Sequence, residues 1–301
     1  MPATPFAALA CPLDLAPLQR HGQSWRCADG HCFDIAAQGY VNLLPVQNKR
    51  SLDPGDSKAM VAARRRFLEA GHYRPIADAV ADAVLEAAAP GQPLACLDAG
   101  CGEGYYLRRL AAAADAAQPL ALLGLDISKW AVQAAAKRDL RDPAGNAGGG
   151  ADAHAAWVVG SNAGLPVQPA TVDRVLCTFG FPVHAEFARV LRPGGELLQV
   201  DAGTDHLREL RAVIYPSLKP ERDGERPPPP GFAALGSERM RFVIGLEGRD
   251  TIADLLAMTP HLHRATAEGR ARAAALTAID LSVDVLLTRF VRCGGTRLPA
   301  A

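Results

Sequence analysis

The residues with the clearest chemistry form one run, Asp98-Ala99-Gly100-Cys101-Gly102-Glu103-Gly104-Tyr105-Tyr106. Three glycines at spacing two let backbone approach a ligand where a side chain would clash. Asp126 follows just over twenty residues later, at the end of a second apolar run. An acid at that point accepts ribose hydroxyls, so the pair of features fits an adenosine-bearing cofactor. Either a dinucleotide or S-adenosyl-L-methionine satisfies this. Two observations favour the sulfonium. Asp98 would sit badly against a pyrophosphate but suits a cationic amino-acid end, and the order D-x-G-x-G-x-G departs from G-x-G-x-x-G. The nicotinamide reading stays open on these residues alone.

A second cluster lies near the start of the chain. Cys11-Pro12-Leu13-Asp14 and Cys27-Ala28-Asp29-Gly30-His31-Cys32 frame two short strands. Zinc takes four thiolate, imidazole or carboxylate ligands in a closed tetrahedron. Cys11, Cys27 and His31 are three candidates, and Asp14 stands where a second knuckle cysteine is expected. A metal-free unit held by Trp25, Phe33, Tyr40 and Leu43 is the alternative.

The elements that must position these groups read as alternating strands and helices. Residues 93–97 make a first buried strand, the glycine turn follows, and 107–117 make a helix. Residues 120–127 are a second strand, with Ser128 capping the next helix. Residues 155–159 are a third, delivering Ser161, Asn162 and Ala163 toward an adenine edge. Tyr105, Tyr106, Glu103 and Ile127 complete the expected cofactor site. Residues 172–177 are a fourth strand, ending at Phe179 and Phe181, which could stack on cofactor or base. Arg192-Pro193-Gly194-Gly195 reads as a helix stop before a fifth strand, 196–200. Phe242-Val243-Ile244 is a sixth strand, and 281–290, alternating in polarity, the last. Together they predict an α/β fold with a single open sheet of about seven strands. A glycine-rich stretch, 146–151, reads as a surface loop.

Between the two clusters, from Gln47 to Arg74, basic residues outweigh acids. Ser57 or Asp56 caps a predicted helix over 58–70 carrying Arg64, Arg65 and Arg66. That face is either solvated or a contact to an RNA backbone.

Composition limits the classes. The 301 residues suffice for a full α/β domain with a small partner. Lys plus Arg is 32 and Asp plus Glu is 32, so a global footprint for polyanions is absent. No run of eighteen apolar residues suggests a membrane span, and no signal peptide is evident. Seven cysteines, an odd number, suggest a reducing, cytoplasmic setting.

The ordered set of motifs resembles the bacterial 23S ribosomal RNA guanine-N1 methyltransferases. Cys11-Pro12-Leu13, Cys27 and His31-Cys32-Phe33-Asp34 resemble that family's amino-terminal zinc module, which carries cysteine where this chain has Asp14. Gly39 to Gln47, Lys49 to Ser57, Ala63-Arg64-Arg65, Phe67-Leu68 and Ala70-Gly71-His72-Tyr73 resemble its linker. Leu97 to Tyr106, Gly124 to Ser128, Leu165-Pro166, Leu191 to Gly195 and Met258-Thr259-Pro260 resemble its cofactor domain. The loop Phe179-Gly180-Phe181-Pro182 stands where the family carries an aromatic-Ala-Pro run. The resemblance implies a class I, Rossmann-like methyltransferase domain over 89–301. A zinc-ribbon-like RNA module over 1–45 and a basic linker over 46–88 precede it. It further implies S-adenosyl-L-methionine and zinc as cofactors, 23S rRNA as partner and a homodimer. By position, Asp201, His206, His261 and Phe179 are the candidates to handle the base and its N1 proton, with Asp205 beside them. A small-molecule methyltransferase and a non-catalytic RNA-binding protein are the competing readings.

Overall fold

A computed structural model describes residues 4–48, 51–86, 88–89, 91–115, 117–141, 155–217 and 227–294. Lys49, Arg50, the glycine-rich stretch 146–151 and residues 218–226 lie outside the described residues. Three short antiparallel strands, β1 (Gln19–His21), β2 (Ser24–Arg26) and β3 (Cys32–Asp34), form a small sheet of their own. The main sheet collects β4 (Tyr40–Asn42), β5 (Leu94–Ala99), β6 (Leu120–Asp126), β7 (Ala155–Val159) and β8 (Val172–Thr178). It continues through β9 (Leu191–Ala202), β10 (Phe232–Glu247) and β11 (Ala278–Arg292). Its order is β10-β11-β9-β8-β5-β6-β7-β4, parallel from β9 to β4, with β11 and β10 antiparallel.

The sheet therefore has eight strands among the described residues, not the seven predicted. The eighth is β4, which the sequence assigned to the amino-terminal module. It pairs in parallel with β7, Tyr40 opposite Trp157 and Asn42 opposite Val159. Such a pairing spans more than a hundred residues and leaves no local signature. β10 also exceeds its predicted three residues. Ala233 to Arg239 have little strand propensity alone, but the ladder to β11 extends them, as sheet context commonly does. Arg192-Pro193-Gly194-Gly195 belongs to the irregular start of β9 rather than to a separate turn.

Helices α1 (Lys58–Glu69), α2 (Arg74–Leu85), α3 (Tyr105–Ala113) and α4 (Lys129–Arg141) share one face of the sheet. So do α6 (Arg208–Ile214), α7 (Arg249–Ala257) and α9 (Ala267–Ala275). Phe67, Ile76, Val80, Leu107, Leu110, Val132, Trp157, Leu198, Leu210 and Val285 form that core. The opposite face carries α5 (His184–Val190). Between β7 and β8 the chain crosses without a helix, and the amino-terminal segment fills the gap. Phe6, Leu9, Cys11, Leu18 and Cys27 pack with Leu97, Leu123, Val158, Val175 and Phe187. Backbone bonds from Ala10 to Pro166 (2.9 Å) and from Gln168 to Ala8 (2.9 Å) fasten this layer. The small module thus completes the core of the large one.

Candidate functional site

The glycine turn links β5 to α3. Gly100, Gly102 and Gly104 have φ of 99, 56 and 80°, a region that favours glycine. A Cβ on Gly104 would lie 2.4 Å from the Trp157 ring, so the indole forms the floor of the turn. Trp157 is anchored in turn, its Nε1 donating to Asp139 at 2.8 Å. This residue escaped the sequence reading, because its partners are Gly104 and Gly124, far from it along the chain.

Asp98 is 1% exposed, and among the described residues neither carboxylate oxygen has a hydrogen-bond partner. Burial, with Asp126 nearby, pushes its pKa up to about 8. An unpaired buried carboxylate is costly and calls for a cation. Asp126 accepts from the backbone N–H of Gly102 (2.9 Å) and of Ser128 (2.8 Å). Burial raises its pKa as well, opposed by those two donors. A buried acid and a half-buried one beside a side-chain-free turn fit a ligand with a cationic amino-acid end and a ribose. S-adenosyl-L-methionine fits this donor set, with Asp98 toward the ammonium and Asp126 toward the ribose.

The other predicted cofactor residues separate. The Glu103 carboxylate is engaged by Arg108, which also donates to the Glu103 carbonyl at 2.6 Å. Tyr105 and Tyr106 meet edge to face, 5.4 Å between centroids. Ser161 accepts from the Ala163 N–H at 3.2 Å. Asn162 donates to the carbonyls of Ala99 (3.4 Å) and Phe181 (3.2 Å), tying the ends of β5 and β8 together. Its Oδ1 is buried without a hydrogen-bond partner among the described residues. Ile127 lies beneath the linker: a Cβ on Gly55 would come within 2.9 Å of it.

That linker is built into the site. Ser57 caps α1, accepting from Met60 N–H. Ser128 caps α4 and donates its hydroxyl proton to the Asp56 carbonyl at 2.7 Å. Arg64 pairs with Asp56 and reaches the glycine turn, 3.5 Å from where a Gly102 Cβ would be. The three arginines read as one basic face in fact diverge. Arg64 covers the turn, and Arg66 makes two bonds to Asp254 on α7 (2.7 and 2.5 Å). Arg65 is exposed.

Among the base-handling candidates, Phe179 has φ of 53°, an uncommon backbone for a bulky side chain. Its ring lies 6.0 Å from Tyr73 and 5.7 Å from His206. Phe181 is 88% exposed. His206 is buried, and both ring nitrogens are occupied. Nδ1 accepts from the Asp284 N–H (3.3 Å), leaving Nε2 to face the Tyr73 hydroxyl (3.2 Å). Burial lowers its pKa to about 4. A histidine held this way is a neutral structural link rather than a proton acceptor at neutral pH. His261 bonds to the Tyr215 hydroxyl at 2.9 Å and lies close enough to His206 to help lower that residue's pKa. Asp205 pairs with Arg208 at 3.2 Å on the surface. Asp201 ends β9 beside the strand that delivers Phe179. Gln199 donates to its Oδ2 at 2.7 Å and is itself within 3.2 Å of His184.

At the amino terminus, Cys11, Asp14, Cys27 and His31 place their ligand atoms within 4.8 Å of one another. Asp14 Oδ2 lies 2.8 Å from His31 Nδ1 and 3.4 Å from Cys27 Sγ. His31 Nδ1 is 3.5 Å from Cys11 Sγ and 3.4 Å from Cys27 Sγ. A tetrahedral zinc with ordinary bond lengths sets ligand atoms roughly 3.3–3.8 Å apart; the three separations to sulfur fall in that range, and the Asp14–His31 pair would open slightly from its 2.8 Å hydrogen bond to take the metal. Burial, with the Asp14 and Cys27 side chains adding to it, pushes the Cys11 thiol up to about 11, so a thiolate there needs a cation beside it. Cys32 is exposed and outside the cluster.

Two family models match the chain. Residues 9–52 match the zinc-ribbon family described as "RlmA, N-terminal", and residues 96–195 match "Methyltransferase domain". The 23S rRNA (guanine(748)-N(1))-methyltransferase of Streptomyces fradiae is 35% identical over 84% of this chain and 84% of its own. A Micromonospora griseorubida protein, provisionally named a 23S rRNA (guanine-N(1)-)-methyltransferase, is 39% identical over 67% of this chain and 68% of its own. A Bacillus subtilis protein of the same provisional name is 29% identical over 93% and 95%. Among the described residues no helix is long and apolar enough to cross a membrane.

Proposed function

The chain belongs to the 23S rRNA (guanine-N1)-methyltransferase family, and on that premise we propose that it methylates N1 of a guanine in a hairpin loop of 23S rRNA. It is an S-adenosyl-L-methionine-dependent enzyme with a zinc-ribbon module. The observation that carries the reading in this chain is Asp98, a buried carboxylate beside the glycine turn with no hydrogen-bond partner among the described residues. When bound, S-adenosyl-L-methionine supplies a methyl group already activated by its sulfonium.

The chain's own residues then have three tasks. Asp98 and Asp126 hold the donor by its ammonium and ribose. Phe179, at the open end of β8, offers its ring as a stacking face for a base taken out of its stack, which is cheap for a loop nucleotide. Guanine N1 carries a proton at neutral pH, and that proton must leave as the new bond forms. Asp201 is the acceptor of choice, since among the described residues only Gln199 engages its carboxylate. His206 and Tyr73 act through Phe179 by holding its ring. Cys11, Asp14, Cys27 and His31 would hold zinc, which would tie them into one rigid unit.

Residues 1–45 and 46–88 grip RNA in this account, while 89–301 carries out transfer. Such a substrate places the enzyme in the cytoplasm, and a homodimer follows from the family resemblance. Methylation at N1 blocks the pairing edge of guanine. Reverse transcription of 23S rRNA treated with enzyme and donor should therefore stop at one new loop position. Read-through at every loop guanine would refute the assignment.

A further inference from the structure

The cofactor site does not absorb a second concavity, a groove of about 580 Å³ between α1 and α4. Lys58, Arg65 and Glu69 line it from α1, and Trp130, Lys137 and Arg138 from α4. Helical spacing explains the two stripes. Lys58 and Arg65 are two turns apart on one face, as are Trp130 and Lys137, a separation of about 10 Å. Arg138 pairs with Glu69 at one end of the groove. At the other end the Lys58 ammonium lies 6.0 Å over the Trp130 ring. The edge of that indole is fixed, its Nε1 donating to Asp53 at 2.6 Å. Among the described residues, Lys58, Arg65 and Lys137 make no ion pair, and all three are exposed. Small apolar side chains floor the space between them.

We infer that this groove is a second RNA site, in which phosphates next to the target loop lie on Lys58, Arg65 and Lys137 and a flanking base stacks on Trp130. Three exposed cations that make no ion pair among the described residues, one of them already over the anchored Trp130 ring, match a single nucleic-acid strand, whose backbone is anionic and whose bases all have a π-face. A neutral peptide would leave the cations uncompensated. Position supports the same occupant. Lys58 and Trp130, which line the groove, each follow by two residues the bonded pair Asp56 and Ser128, and the Ser128 N–H in turn donates to Asp126 of the cofactor site. The helix that places Arg64 on the glycine turn also presents Arg65 to the groove. RNA held there is drawn across the mouth of the site. The inference rests on the reading of RNA as substrate.

The test compares full-length protein with an Arg65→Glu, Lys137→Glu double variant. The probe is a hairpin transcribed from unmodified 23S rRNA, titrated by fluorescence anisotropy over a range of salt. We expect affinity for the hairpin to fall at least tenfold. The slope of log affinity against log salt should shrink by about 1.4, for two lost phosphate contacts on a single strand. Donor affinity by calorimetry should stay within twofold of wild type, which shows that the fold survives. RNA binding should also quench tryptophan fluorescence, and Trp130→Phe should remove that quench while Trp25 and Trp157 remain. Unchanged hairpin affinity and slope in the double variant would overturn the inference. So would unchanged RNA binding accompanied by a change in oligomeric state, which would assign the groove to a second copy. Failure of the wild type to bind or methylate any rRNA would instead refute the functional reading itself.

Discussion

The Tyr73 hydroxyl lies 3.2 Å from Nε2 of His206, 133 residues away along the chain. This one bond ties the linker to the far half of the sheet, because His206 Nδ1 also accepts from the Asp284 N–H on β11. Phe179 rests against both rings. Linker, active-face loop and antiparallel strands thus meet in a single aromatic group.

The protonation of His206 makes that link sensitive to acid. Its folded pKa, about 4, is depressed below the ordinary value near 6.5. The unfolded chain therefore binds the proton first as pH falls. The stabilising contribution is complete above pH 6.5 and is lost progressively down to about pH 4, on the order of 3 kcal/mol in all. His206→Gln should flatten that part of a stability–pH curve measured by urea unfolding. An unaltered slope would show that other groups set the acid limb.

Asp98→Asn should weaken donor binding at least tenfold by calorimetry. Its pKa is raised by burial, so the charged form costs the empty protein stability as pH rises from about 4 to 8. The variant should accordingly melt higher than wild type without donor at pH 8, and gain less on adding it. Equal donor affinity in the two proteins would remove Asp98 from the site.

Gly104→Ala should destabilise the protein by about 1–3 kcal/mol, through overpacking against Trp157 and a φ of 80°. Chemical denaturation measures this directly. A cost below about 0.5 kcal/mol would mean that the indole yields easily and is no rigid floor.

Purified protein should hold about one zinc per chain by elemental analysis. Asp14→Ala should lose it to chelator at least tenfold faster, and Asp14→Cys should retain it, because thiolate is the softer ligand. Metal-free protein with an unchanged melting temperature would make the cluster a hydrogen-bonded knot.

The parts of this architecture readable from sequence were those set by neighbours in the chain. The glycine turn, the Asp126 strand end, the Ser57 and Ser128 caps and the four metal donors all depend on short spacings. Trp157 beneath Gly104, Gly55 over Ile127 and the Tyr73–His206 bond are long-range meetings between residues of unremarkable type. The same holds for β4, three residues that pair only because β7 leaves an edge. The arginines show the limit from the other side. Arg64, Arg65 and Arg66 are consecutive, yet helix geometry sends them to a cofactor turn, an open groove and an acid on α7. His206 was drawn by residue type toward catalysis, and burial makes it structural.

The most direct test of the central claim is methyl transfer itself. Enzyme, donor carrying a labelled methyl group and unmodified 23S rRNA are incubated, and the RNA is digested to nucleosides for mapping. The account predicts label on N1-methylguanosine from a single hairpin-loop position. Label on any other nucleoside, or none while the donor is bound, would contradict it.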